Sequence, residues 1–187
     1  MNNKILNIGC WNETYGTHLV DLYPSRKDVV KCNVDEEKLP FKNNFFDIVY
    51  SKNLFEHLRN PGFVLGEMVR VLKKGGELIL VTDNSSYYLF NFLKAYSAHY
   101  NNYKEHGMED KHYILFTTKH IENWMSSFKL KIVRLELITD YDPNLSNPVF
   151  KYPRKNSKLA LPNRLLGHLP VISQIAFPRI LVVAKKP

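Results

Sequence analysis

What the chain lacks narrows it first. Two cysteines, Cys10 and Cys32, in 187 residues cannot build a disulfide framework. Both sit in apolar, strand-like runs, so buried reduced thiols and a cytoplasmic setting are expected. No apolar run reaches the roughly 20 residues of a membrane-spanning helix. Met1-Asn2-Asn3-Lys4 leads straight into a strand, so no signal peptide is expected. There is no internal repeat and no low-complexity tract. Acids are scarce in the last quarter. Residues 141–187 hold eight Lys/Arg and a single acid, Asp142, whereas residues 1–140 hold 18 basic and 17 acidic residues. The net charge of +8 therefore belongs to the C-terminal part. Such a patch suits an anionic membrane surface or nucleic acid, or is a solvated basic surface.

Four short apolar runs fill the first fifty residues. Lys4 to Cys10 reads as a strand running into a glycine turn. His18-Leu19-Val20-Asp21 ends on an acid, Asp28 to Val34 leads into Asp35, and Phe45 to Ser51 is a fourth strand. The helical period starts later. Asn60 is placed to cap a helix with Pro61 at its first position, and Leu65, Met68, Val69 and Leu72 share a face. Lys73-Lys74 suit its C-terminus and Gly75-Gly76 its end. Glu77 to Asp83 is an apolar fifth strand. Ser85 or Ser86 is placed to cap a helix with Leu89, Phe92, Leu93, Tyr96 and Tyr100 on one face. Thr117 or Thr118 is placed to cap another, bearing Ile121, Trp124, Met125 and Phe128. Lys131 to Ile138 alternates with period two, as a half-exposed strand does, and Arg179 to Ala184 is the last strand.

In their order, these strings resemble a class I S-adenosylmethionine-dependent methyltransferase of the small-molecule, type 11-like kind. Ile5-Leu6-Asn7-Ile8-Gly9-Cys10 resembles the first strand with its glycine motif, and Val20-Asp21 the second strand with its ribose acid. Asp35 followed by Lys38-Leu39-Pro40-Phe41 resembles the adenine loop. Phe46 to Ser51, then Leu54-Phe55-Glu56-His57-Leu58, resembles the fourth strand and the helix start beside the transferred methyl. Arg70-Val71-Leu72-Lys73-Lys74-Gly75-Gly76-Glu77-Leu78 is the most specific string.

The resemblance implies an α/β, Rossmann-like sheet of order 3-2-1-4-5-7-6 with the last strand antiparallel. It also implies S-adenosylmethionine as cofactor, held by Gly9, Cys10, Trp11, Asp21, Asp35, Leu39 and Ser51. His57 and Asp83 are the catalytic candidates. Tyr103, His106, His112 and Tyr113, in a polar and aromatic lid over residues 101–116, are the substrate candidates. The histidines and acids there match no metal-ligand spacing, and no metal is expected. The likeness is weakest where relatives place two further glycines: Trp11 and Glu13 stand there.

Two connections are too short for the fold that is implied. Seven residues separate Cys10 from His18, and six separate Asp21 from Asp28, where a parallel crossover needs a dozen or more. The helices between strands 1, 2 and 3 are therefore missing or minimal, and one face of an apolar sheet lacks its own cover. The whole chain reads as one domain carrying a basic, proline-rich insertion at about 140–178. Its segment 159–177 is the candidate cover, in this chain or by self-association. Alternatively it contacts a membrane peripherally, since Arg154, Lys155, Lys158 and Arg164 flank Leu165, Leu166 and Leu169. The expected function is methyl transfer to a small molecule. The alternatives are an RNA methyltransferase and a catalytically silent binding module.

Overall fold

The structure is a computed structural model that describes residues 3–87, 112–145, 147–149 and 177–187. Its main sheet has seven strands: β1 (Ile5–Ile8), β2 (His18–Asp21), β3 (Val29–Lys31), β4 (Phe46–Lys52), β5 (Leu72–Asp83), β6 (Lys131–Ile138) and β9 (Arg179–Lys185). They lie in the order β3-β2-β1-β4-β5-β9-β6. The first five pair in parallel, and β9 is antiparallel to both β5 and β6. This is the expected order, with the last strand as its reversed member. No helix occurs between β1 and β2 or between β2 and β3, as the short connections require.

One face of the sheet carries helices α1 (Pro61–Val71) and α2 (Thr118–Ser127). Val64, Leu65, Met68 and Val71 of α1 and Ile121 and Met125 of α2 meet Leu6, Ile8, Val49, Leu78, Leu80 and Val182 from the strands. Thr117 caps α2 in a reciprocal box with His120, so Thr117 rather than Thr118 is the cap.

Helix α1 differs from expectation at both ends. Asn60 does precede Pro61, but its side chain makes no capping bond. The acceptor there is Asp35, whose carboxylate takes the backbone N–H of Asn60 at 2.7 Å and of Arg59 at 3.0 Å. The helix ends at Val71, and Lys73 to Gly76 belong to the irregular start of β5. Three contacts pull the chain straight there. Leu72 pairs with Phe46, Lys73 Nζ lies 2.6 Å from Asp47 Oδ1, and Lys186 Nζ donates to the carbonyls of Val69 and Leu72, each at 2.7 Å. Gly76 is required because a Cβ would sit 2.9 Å from the Asp47 carbonyl oxygen. The loop before β4 is stapled to α1 as well. Glu67 accepts from the Leu39 amide, and Arg70 donates to the carbonyls of Leu39 and Phe41.

The second face has a different cover. Tyr50, Ile79, Val81 and Leu181 form its buried centre with Ile138 and Tyr141. Tyr15, from the β1–β2 connection, meets Tyr50 edge-on at 5.1 Å. Tyr141 belongs to β7 (Asp140–Asp142), which pairs with β8 (Asn147–Val149) in a small hairpin. Sequence reading had placed that stretch in the insertion. Lys52 Nζ ties the layers together, 3.0 Å from Asp140 Oδ1 and 3.7 Å from Glu13 Oε1. Segment 159–177 up to residue 176, the expected helix bearing Leu89 to Tyr100, and Tyr103 and His106 lie outside the described residues. Among the described residues, no helix is long and apolar enough to cross a membrane.

Candidate active site

Parallel strands end together on one rim, where an α/β sheet binds its ligands. At the end of β1 the chain turns through Gly9 (φ +70°) and Trp11 (φ +46°). Gly9 is needed there, since a Cβ would lie 3.1 Å from three carbons of Leu54. Trp11 holds a left-handed conformation that costs a side-chain-bearing residue about 1 kcal/mol or more. Asp21 at the end of β2 fixes it: one carboxylate oxygen accepts the Trp11 amide and the other the Tyr23 amide, both at 2.8 Å. Arg26 supports the same turn from outside through the carbonyls of Asn12 and Glu13.

The turn walls a cavity of about 440 Å³. Gly9 and Trp11 line it from β1, Asp21, Leu22 and Tyr23 from β2, Asn33 to Glu36 from behind β3, and Asn53, Leu54, His57 and Arg59 from behind β4. The structure thus brings Gly9, Trp11, Asp21, Asp35, His57 and Tyr113 to one cavity. It puts Cys10, Leu39 and Ser51 behind the wall. Cys10 is fully buried against Leu19 and Val29, and burial pushes its thiol up to about 11. Leu39 lies in the core beneath α1. Ser51 Oγ donates to the Ile8 carbonyl and joins the tips of β1 and β4. Leu22, Tyr23, Asn33 and Asn53 were missed by sequence reading. Their only signal is position, one or two residues past a strand end.

A second constellation stands beside the cavity. Phe55–His57 forms a single 3-10 turn after β4. Its Glu56 is buried, accepts from Thr82 Oγ1 at 2.8 Å, and takes the amide of Tyr113 at its own carbonyl. Burial, helped by the charge of Asp83, pushes the Glu56 carboxyl well above the usual range, against the pull of Arg179. His112 Nδ1 lies 3.6 Å from Asp83 Oδ2, and its ring meets that of His57 at 4.7 Å, nearly perpendicular. Tyr113 is half exposed on the cavity wall, and its hydroxyl accepts from Arg59 at 3.1 Å. The structure therefore brings His57, Asp83, His112 and Tyr113 close together. Glu56 joins them, although sequence reading gave it no role of its own.

Residues 16–80 match the family model described as a methyltransferase domain. Over 45 residues the chain is 47% identical to the uncharacterized protein YafE of Escherichia coli (strain K12), a stretch spanning 24% of this chain and 22% of that protein. A SAM-dependent methyltransferase from Archaeoglobus fulgidus superposes with a TM-score of 0.62 at 16% identity, covering 98% of this chain and 86% of that one. An S-adenosylmethionine-dependent methyltransferase from Mesorhizobium loti gives 0.59 at 14% identity, covering 99% and 91%. At such identities the superpositions speak for the fold. Together with the match over residues 16–80 and the strand order, they give the chain the fold of the class I S-adenosylmethionine-dependent methyltransferases.

Proposed function

We propose that this chain transfers a methyl group from S-adenosylmethionine to a small-molecule acceptor. The supporting observation is the cavity at the strand ends, walled by Gly9, Trp11, Asp21 and Asp35. Its volume of about 440 Å³ falls in the ordinary range for a small-molecule site. The donor set fits a nucleoside carrying a cation. Each oxygen of Asp21 and Asp35 accepts one backbone N–H, and a carboxylate oxygen has a second lone pair for a hydroxyl or amino group. Trp11 offers an aromatic surface, which attracts a cation. When bound, S-adenosylmethionine supplies a methyl group activated by its sulfonium. The protein's part is to position the two reactants and to take up the acceptor's proton where it has one. His57 and Asp83 are the proposed groups on that side of the cavity.

Thermal unfolding with and without S-adenosylmethionine and S-adenosylhomocysteine tests the reading. At about 100 times the dissociation constant, a bound ligand adds about 2.7 kcal/mol. Asp21→Ala should remove most of that gain, because it loses a ligand-facing carboxylate and unfastens Trp11. A wild type that melts unchanged with both ligands refutes the proposal.

A further inference from the structure

The main sheet ends on two open edges, and they are built differently. β3, at one end, has three residues and closes on Lys31. An edge so short, with a charge at its end, offers little to pair with. β6, at the other end, has eight residues, and among the described residues only β9 pairs with it. Its outer N–H and C=O groups are a template for another strand. The residues of β6 select that strand. Leu135 and Leu137 turn to the helical face, where they pack against the core. Arg134 and Glu136 alternate with them on the other face, Arg134 Nε lying 2.6 Å from Glu136 Oε1. Val133 falls out of register with β9 and is 57% exposed, the most exposed large apolar side chain among the described residues.

We infer that β6 is a contact between two copies of this chain, paired antiparallel about a two-fold axis at Leu135. Alternate residues of a strand turn their hydrogen-bonding groups to opposite edges. In a two-fold antiparallel pair, one residue therefore faces its own copy. A centre at Arg134 sets guanidinium against guanidinium, and a centre at Glu136 sets carboxylate against carboxylate. Like charges directly opposite are destabilising. A centre at Leu135 sets Arg134 opposite Glu136 of the second copy, twice over by symmetry. It also sets Leu135 against Leu135 on the helical face and brings Val133 near Leu137 of the second copy, so the exposed valine gains cover. Two seven-stranded sheets become one, and neither copy keeps a long open edge. The inference stands independently of the methyl donor.

Sedimentation velocity of the full chain over about 1 to 100 µM tests the contact. The wild type should be a dimer at the upper end of that range. Arg134→Glu and Glu136→Arg each turn both cross-copy pairs into like charges, and each should weaken the dimer about 10-fold or more. An equimolar mixture of these two variants sets acid opposite base again and should form a heterodimer. The exchanged chain, carrying both Arg134→Glu and Glu136→Arg, keeps its own ion pair, which guards against a mere loss of fold. It should dimerise with itself but not with wild type, read by fluorescence transfer between labelled copies. A wild type that stays monomeric throughout the range overturns the inference. So does a dimer that neither single variant weakens, a mixture of the two that stays monomeric, or an exchanged chain that mixes freely with wild type.

Discussion

The two faces of the sheet solve the same problem by different means. On the first, α1 and α2 bury an apolar layer that includes Leu65 and Met68, both fully inaccessible. On the second, where crossover helices are missing, Tyr15 and Tyr141 lie over Tyr50, and Lys52 joins Glu13 to Asp140. Arg179 extends that network to the Thr139 carbonyl and to Asn53 at the cavity wall. An aromatic ring covers much apolar area with few residues and also presents a polar edge. A loop of nine residues can therefore do part of the work of a helix, and it ties the cover to the turn that carries Trp11.

Five substitutions probe this contrast. The largest effect is expected on the helical face: Leu65→Ala should cost about 2–5 kcal/mol, read as the loss in unfolding free energy in urea. Tyr15→Ala on the other face should cost less, about 1–2 kcal/mol, because it removes one aromatic contact and part of a cover. If it costs as much as Leu65→Ala, the two faces are equivalent and the contrast fails.

The third test uses acid and base. Glu56 has a raised carboxyl, so the folded chain holds a proton that the unfolded chain has lost. The stability it contributes is present below the unfolded carboxylate value and declines as pH rises toward the raised one. Asp140 is the reverse. Burial works to raise it, but Arg179 and Lys52 hold it low, so its contribution is lost as pH falls. Glu56→Gln should flatten the alkaline side of the stability profile and Asp140→Asn the acidic side, both read by melting temperature against pH. The opposite assignment would break the comparison.

The smallest change in stability is expected from Trp11→Gly. Relief of the left-handed conformation offsets the lost indole contacts, so stability should stay within about 1 kcal/mol. Binding of S-adenosylmethionine, measured by calorimetry, should weaken about 3- to 30-fold if the indole faces the cation.

Much of this was legible in the sequence, and the failures share a cause. β2 and β6 begin and end where their residue patterns say, because alternation and a terminal acid are local signals. The strand order followed from the family strings. Both ends of α1 were misread because distant residues set them: Asp35 satisfies amides at Arg59 and Asn60, and Lys186 takes carbonyls at Val69 and Leu72. The strand-end acids were found by position, but nothing local shows that Asp21 spends both oxygens on the turn of Trp11. Glu56 was overlooked as a site residue because a glutamate ordinarily faces water. Its burial comes from Thr82, 26 residues along the chain.

The place of β9 has a consequence for folding order. It lies between β5 and β6, and among the described residues β6 pairs with no other strand of the main sheet. Some forty residues separate the end of β6 from the start of β9, a loop whose closure is entropically unfavourable before any pairing is made. Until β9 arrives, both β5 and β6 present open edges, which invite pairing with other chains. The seven residues of β9 thus act as a wedge. Supplied as a separate peptide to a chain ending before Arg179, they should complete the sheet in trans.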